Sequence, residues 1–428
     1  MNKKVAVTVV GLIMIAVAIQ STRADELTRR VEQLTTAVTP KVVKWRRHFH
    51  THPELSNQEK QTAQFIVDRL REMGIDNIKT GVARHGVVAL IHGGKPGPTV
   101  ALRADMDALP IQEQTGLEFA SKNNGVMHAC GHDAHMAMLL GAAEVLMAMR
   151  DEIPGNVKLM FQPAEEGSPV GVSGGAKLMI EEGVLENPKV SAIFGQHVGP
   201  TLPCGVIAYR AGGTMAAVDC FKITVTGVQS HGAAPWKGID PIVTAAHIVT
   251  ALQTITSRKI DARQPVVVSV GIIKGGTAWN IIPEKVMLEG TVRTHDKQVR
   301  RKVAEELKRI VTQTAAAHGA SAKVDCRSYG MVLYNDPQLT RRMMPTLQRA
   351  VGKGKLVESP PRMGGEDFAW YAAKVPGLYV FLGVEAEAGG PLHDLHTPKM
   401  MLNEAALPVG VRTLSLLTLD YLRGETGK

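Results

Sequence analysis

Short apolar runs alternate with segments of helical periodicity from residue 61 onward, and this alternation restricts the fold more than any other feature of the chain. Helical periodicity over 61–73 stops at Gly74, and apolar strands are predicted at 87–91, 99–103 and 157–161. A helix rich in Ala, Met and Leu is predicted over 134–150, with Asp133 as its N-cap. Such alternation builds an α/β layer around a mainly parallel sheet. From about Ala216 the order changes to strand 218–227, helix 241–257, strands 265–273 and 285–294, helix 297–318 and strand 322–329. That β-α-β-β-α-β order is the ferredoxin-like unit. The α/β pattern then resumes through 338–351 and 378–383 to a helix from Glu404. The expected architecture is a discontinuous α/β domain at 25–215 and 329–428, with a small ferredoxin-like α+β domain inserted at 216–328. A length of 428 residues agrees with two cores rather than one.

The first residues follow another pattern. Lys3 and Lys4 precede an apolar run over 5–19, and Thr22-Arg23-Ala24 offers a small-x-small site behind it. This is the layout of a secretory signal peptide, so residues 1–24 are expected to be a leader cleaved after Ala24. The run is short for a spanning helix of about 20 residues. No later stretch is long and apolar enough to span a membrane. The mature protein, opening on a helix over 26–50, is therefore expected to be soluble, periplasmic or secreted, and without stable membrane association.

Export permits disulfides. Of Cys130, Cys204, Cys220 and Cys326, however, the first stands in a ligand-like motif. If Cys130 holds a metal, two bridges are impossible, and Cys220 and Cys326 read as small buried residues of strands. The formal charge of +9 is spread along the chain and aromatic residues make up only 4%. A nucleic-acid binder would show a basic stripe with aromatic interleaving, so that class is set aside. A basic surface suits carboxylate-bearing substrates instead.

Four stretches place acidic or metal-competent side chains where a predicted strand gives way to a loop: Asp105-Met106-Asp107, Cys130-Gly131-His132-Asp133, Glu165-Glu166 and Gln196-His197. A fifth, His393-Asp394-Leu395-His396, lies before the C-terminal helix. Crevices of open α/β sheets form at the carboxyl ends of strands. Cys130 and His132 flank one glycine at a helix N-terminus, where the dipole is expected to favour thiolate. A buried cysteine with a capping histidine would give the same pattern. Adjacent carboxylates at Glu165-Glu166 repel each other unless a cation lies beside them, and otherwise read as a solvated loop edge. Such a pair can divide labour, one carboxylate on a metal and one moving protons. His197 and His396 gain weight only from this ensemble.

Longer stretches carry a resemblance. Phe161-Gln162-Pro163-Ala164-Glu165-Glu166-Gly167, Met127-His128-Ala129-Cys130-Gly131-His132-Asp133-Ala134-His135 and Ala101-Leu102-Arg103-Ala104-Asp105-Met106-Asp107-Ala108-Leu109-Pro110 resemble metallopeptidase family 20. They resemble in particular its amidohydrolase branch of hippurate hydrolases, aminoacylase-like enzymes and indoleacetyl-amino-acid hydrolases. Ser230-His231-Gly232-Ala233-Ala234-Pro235, Gly275-Gly276-Thr277-Ala278-Trp279-Asn280-Ile281-Ile282-Pro283 and Met363-Gly364-Gly365-Glu366-Asp367-Phe368 support it. The resemblance covers essentially everything after the leader.

It implies a zinc-peptidase-like di-metal catalytic domain and an inserted lid or dimerisation domain. Cys130 is implied as the bridging ligand of two divalent ions, with His132, Glu166, His197 and His396 completing the sites. Glu165 matches the general base, and Asp107 the residue that orients the shared water or the ligands. On the family pattern His231 reaches a neighbouring subunit's active site and stabilises the oxyanion. Asn280 and Arg293 hold the substrate carboxylate, with Gly365 also at the substrate. A planar guanidinium fork suits a carboxylate, although a surface arginine on a strand would look the same. The wider family has His where this chain has Asp105, and a carboxylate bridge where it has Cys130. Thiolate and imidazole favour zinc, with manganese, nickel and cobalt as the other candidates. His50 and His52 fit a family signature and are read as structural.

The activity implied is hydrolysis of N-acyl or N-aroyl amino acids by a metal-bridged water, in a homodimer joined through the inserted domain. A carboxypeptidase or dipeptidase would use the same site, and pocket shape alone separates the two. A non-catalytic exported binder is the third reading, and it gives Glu165 no task.

Overall fold

The computed structural model describes residues 3–167, 174–387, 389–391 and 393–424, and the side chains among them from Ala24 onward. Side chains of residues 1–23, within the expected leader 1–24, lie outside these, and the backbone from Lys3 is continuous with the first helix. The elements run α1 (Lys3–Thr51), α2 (Lys60–Glu72), β1 (Ile78–Val82), β2 (Gly86–His92), β3 (Lys95–Asp105), α3 (His132–Ala148), β4 (Pro154–Gln162), α4 (Gly175–Glu181), β5 (Val190–Gly199) and β6 (Ile207–Tyr209). There follow β7 (Gly212–Met215), β8 (Ala217–Thr226), β9 (Ser230–His231), α5 (Pro241–Thr254), β10 (Val266–Gly275), β11 (Ile281–Ile282), β12 (Lys285–Thr294), α6 (Lys297–Ala317), β13 (Ser321–Ser328) and β14 (Leu333–Asn335). The chain closes with α7 (Pro337–Val351), β15 (Leu356–Glu358), α8 (Ala369–Ala372), β16 (Gly377–Gly383) and α9 (Leu407–Arg423).

Two compact units result, Met1–Tyr209 with Asp336–Ser359 and Lys374–Lys428, and Arg210–Asn335 with Pro360–Ala373. The first holds an eight-stranded sheet in the order β1-β2-β4-β3-β5-β16-β6-β15. Its four central strands run parallel and are apolar on both faces. Helix α3 is apolar nearly all round and accordingly buried. At Gly141 it meets both α1 and α9. A Cβ there would lie 2.6 Å from Val42 Cγ2 and 2.8 Å from Val411 Cγ2, so the three helices touch because this residue has no side chain.

Asp133 is not the N-cap of α3. Gly131 takes that place in the left-handed region, at φ 86°. The displaced carboxylate of Asp133 lies in the first turn, wholly buried, and accepts from Arg46 Nε at 2.8 Å. His50 Nδ1 lies 2.8 Å from the same oxygen, and His50 Nε2 is 3.1 Å from Glu113. Burial alone would raise the Asp133 carboxyl, but Arg46 and His50 hold it far below the ordinary range. This network joins the end of α1, the start of α3 and the loop through Glu113. It gives His50 the structural place expected of it, whereas His52 is exposed, with its ring Nδ1 3.0 Å from the His48 carbonyl.

The second unit has a four-stranded antiparallel sheet, β10-β12-β8-β13, against which α5 and α6 pack. Asp240 and Asp296 cap these helices, each accepting two backbone N–H groups. The unit extends beyond the expected 216–328. Strand β7 pairs with β14, and the Ala216 N–H donates to the Gly364 carbonyl at 2.9 Å. Strand β8 is interior, paired on both sides, so the edges of this sheet are β10 and β13. In a ferredoxin-like order the first and third strands form the middle. Cys220 pairs with Arg327 and Cys326 with Phe221, so the two cysteines face opposite sides of the sheet. Cys326 is exposed, not buried as expected, because β13 is an edge, and all four cysteines are free. Among the described residues no helix is long and apolar enough to cross a membrane.

Arg46→Leu should lower the unfolding free energy by about 3–5 kcal/mol, since it strands the Asp133 charge in the core. A carboxyl held below its ordinary range stabilises the fold above about pH 4 and ceases to as pH falls. The deficit should therefore shrink in acid. Urea unfolding at pH 7 and pH 3 checks both statements, and a deficit under about 1 kcal/mol at pH 7 would refute them.

Candidate metal and catalytic centre

Strands β4, β3 and β5 lie side by side and parallel, so their carboxyl ends open onto one small volume. Strand β3 delivers Asp105 at its end and Asp107 just beyond, and β5 carries His197 inside its last turns rather than after it. Beyond β4 the chain turns through Ala164, at φ 54°, into Glu165 and Glu166. The start of α3 adds Cys130 and His132. His396 arrives from far along the chain, its N–H donating to the Ala129 carbonyl at 2.8 Å. His396 itself sits at φ 63°, a conformation that costs a non-glycine residue energy and is held here by that hydrogen bond.

All seven residues expected of the first domain meet here. Cys130 Sγ lies 3.4 Å from His197 Nε2 and 3.3 Å from His396 Nε2. Two ligands of one tetrahedral ion, at bonds of 2.0–2.3 Å, stand roughly 3.5 Å apart. His396 Nε2 is 3.2 Å from Glu166 Oε1. His132 Nε2 is 3.9 Å from Glu166 Oε1 and 4.0 Å from Glu165 Oε2. Ligand atoms group as Cys130, His132 and His197, and again as Cys130, Glu166 and His396, each set within 4.8 Å. Cys130 belongs to both sets.

Hydrogen bonds fix the rings. His132 Nδ1 donates to the Asp107 carbonyl at 2.8 Å and His197 Nδ1 to the Val198 carbonyl at 2.7 Å. Each Nε2 lone pair is thereby left facing the centre. His132 Nε2 is buried with no hydrogen-bond partner, as a nitrogen awaiting a cation would be. Asp107 accepts from Ser56 Oγ at 2.7 Å and from the Glu166 N–H at 2.9 Å, so it braces the carboxylate turn as well as His132. The donor set therefore fits two divalent ions sharing the thiol of Cys130.

Charge supports the same conclusion. Burial pushes the Cys130 thiol well above its usual range, and Glu166 and Glu165 add to this against His132. A cation is what ionises such a thiol. Burial lowers His197, with His135 adding, so that ring is neutral and able to ligate. Asp105 would be raised by burial, yet His132, His135 and Arg103 hold it well below the carboxylate range. It bonds Arg103 at 2.5 Å and His135 Nδ1 at 2.6 Å, while His135 Nε2 accepts the Val198 N–H. The sequence reading gave His135 no role. Its place three residues after His132 puts both on one helix face, and that spacing was the available signal.

The remaining candidates lie in the second unit, in two groups. His231 is exposed on β9, which pairs with β11 beside Asn280, and the Gly232 N–H donates to the Asn280 carbonyl at 2.7 Å. Arg293 lies on β12 opposite Val218, and a Cβ on Gly365 would stand 2.4 Å from Val218 Cγ2. The first group follows the Thr226–Lys285 pair, and the second sits at the Val218–Arg293 pair. Eight residues of strand separate them, about 27 Å at 3.4 Å per residue.

Residues 101–420 match the family described as peptidase family M20/M25/M40. Thermostable carboxypeptidase 2 of Saccharolobus solfataricus is 42% identical to this chain, over 89% of it and 95% of the relative. N-acetyl-L-cysteine deacetylase of Bacillus subtilis is 42% identical, over 85% and 83% of the two chains. The structure of the YxeP protein of Bacillus subtilis, a dinuclear metal binding peptidase of the M20 family, superimposes with a TM-score of 0.78 at 38% identity. That likeness covers 91% of this chain and 99% of the other. With a paired ligand set at the carboxyl ends of its central strands, the chain belongs to peptidase family M20/M25/M40 and is a metal-dependent hydrolase of the amidohydrolase branch.

Proposed function

We propose that this protein hydrolyses the amide bond of N-acyl or N-aroyl amino acids, releasing a carboxylic acid and a free amino acid. The observation that carries the reading is the division of the carboxylate pair. Glu166 groups with Cys130 and His396, whereas Glu165 groups with His132 and Glu166 but stands outside both Cys130-centred sets. Two divalent ions, when bound, acidify a water and polarise the scissile carbonyl, and zinc suits the thiol and imidazoles best. Glu165 takes the proton and returns it to the leaving amine. Asp107 keeps the His132 ring and the Glu166 backbone in register with it. Arg293 Nη1 is buried without a hydrogen-bond partner, which suits it to a substrate carboxylate. The relative named as a carboxypeptidase supports a second reading, cleavage of small peptides by the same residues. Assay of free amino acid released from a panel of N-acyl amino acids and dipeptides separates the two. Activity on the former should exceed that on the latter and vanish with chelator. Metal-free activity, or preference for peptides, would overturn the first reading.

We further propose a homodimer in which His231 and Asn280 serve the partner's site. One substrate amino acid is far shorter than the distance between this group and Arg293, so the two groups act on different substrates. The Ala233 N–H donates to His231 Nδ1 at 3.0 Å, which leaves the proton of the neutral ring on Nε2, ready to donate to an oxyanion. Edge strand β10 is the proposed pairing surface, with Ile272 and Ile273 exposed, and Ile242 and Val243 on α5 are about half exposed. His231→Ala and Glu165→Ala proteins, each inactive, should regain about a quarter of wild-type activity after subunit exchange. Half of the dimers are then mixed, with one complete site each. Exchange proven by mass without recovery would place His231 at its own chain's site.

Residues 1–24 are read as an export leader, on the basic start, the apolar run and Ala24. N-terminal sequencing of protein recovered outside the cytoplasm should begin at Asp25, and a retained leader would overturn this.

A further inference from the structure

The turn between α1 and α2 contributes no ligand to the sets described above, yet it is bonded to the segment that carries Asp107 and to the turn that carries Glu165 and Glu166. The Ala108 N–H donates to the Glu54 carbonyl at 2.8 Å. Ser56 Oγ donates to Asp107 Oδ2, and Asp107 Oδ2 in turn accepts the Glu166 N–H. Glu59 Oε1 accepts the N–H of Ala164 at 2.9 Å. The turn is itself anchored to α2, where the Glu54 carboxylate accepts from the Thr62 N–H and hydroxyl at 2.9 and 3.0 Å.

Glu59 is the unusual member. It is wholly buried, and its second oxygen, Oε2, has no hydrogen-bond partner. Burial, with the charge of Asp107 adding, pushes its carboxyl up to about 7, against backbone N–H groups that lower it. An apolar side chain would fill such a place at less cost, so the acid is there for what its other oxygen holds. What it holds is Ala164, an alanine at φ 54°. An L-residue other than glycine pays roughly 1–2 kcal/mol for the left-handed region, and an acceptor on its N–H offsets that cost. If Ala164 relaxed to negative φ, the chain beyond it would leave β4 in another direction. Glu165 and Glu166 would then no longer face His132.

We propose that Glu59 is a positioning residue for the Glu165 carboxylate, acting through the Ala164 N–H to hold the left-handed turn from which Glu165 and Glu166 diverge. This rests on the reading of Glu165 as the proton-transferring base. A shift of about 1 Å in a catalytic group can cost 10²-fold in rate. Glu59→Ala should therefore lower kcat roughly 10- to 100-fold, with KM within about threefold of wild type and the metal content unchanged. Glu59→Gln keeps an oxygen for the Ala164 N–H and resembles the neutral acid, so its kcat should return to within about fivefold.

Elemental analysis and the thermal midpoint are read on both variants, and Glu165→Gln is assayed beside them. Glu59→Ala at wild-type kcat overturns the proposal. So does a Glu59→Gln protein with metals and midpoint intact whose kcat is as low as that of Glu59→Ala. If Glu59→Ala loses its metals or fails to fold, the Gln variant decides alone, and near-normal turnover supports the proposal. A fully active Glu165→Gln would remove the base itself and this inference with it. An inactive Glu165→Gln beside an active Glu59→Ala removes only the inference.

Discussion

Negative charge packed into an apolar interior is the constraint on which the centre depends. Asp105, Asp107, Glu165, Glu166 and Cys130 converge at the carboxyl ends of strands that are largely buried there and mostly apolar. Isolated, such groups would simply stay protonated. The protein answers in two ways. Arg103 and His135 neutralise Asp105 from within, and His132 Nε2 is left buried without a hydrogen-bond partner, a nitrogen that a cation would satisfy. The hydrogen bonds that orient His132 and His197, and the turns held by Ser56 and Glu59, all serve that arrangement. Metal affinity here is thus a property of the shell as much as of the ligands.

The second unit solves a different problem. Its ferredoxin-like sheet buries one face against α5 and α6 around Phe221, Ile223, Val225, Leu288 and Leu307. Its chemistry-bearing side chains are kept at the ends of that sheet, on or beside turns. On the short ribbon of β9 with β11, backbone pairing fixes the candidate residue His231 without burying it.

How much of this was legible depended on the kind of signal. Strand β12 was read at its observed bounds, because ten residues of strand pattern lie between Pro283 and the Asp296 cap. Cys130, His132 and Glu166 were legible because they stand near strand or helix ends, where periodicity breaks, whereas His197 lies inside β5 and His396 in a loop. What failed was anything set by tertiary neighbours. Asp133 has the composition of an N-cap, but a buried arginine from α1 outbids the backbone for it. Strand β8 gives no local sign of being interior, since its partners β12 and β13 come 59 or more residues later in the chain. Glu59 reads as one more acid at the start of a helix, and only the fold reveals the alanine it supports.

The backbone bond between His396 and Ala129 has a consequence for the order of events in synthesis. Cys130 and His396 are separated by 266 positions. A growing chain therefore exposes Cys130, His132, Glu166 and His197 long before the histidine that completes their set exists. Until then the half-made centre is a thiol with three partners, open to any soft cation that passes. The complete ligand set therefore comes together only when the segment around His396 folds onto Ala129.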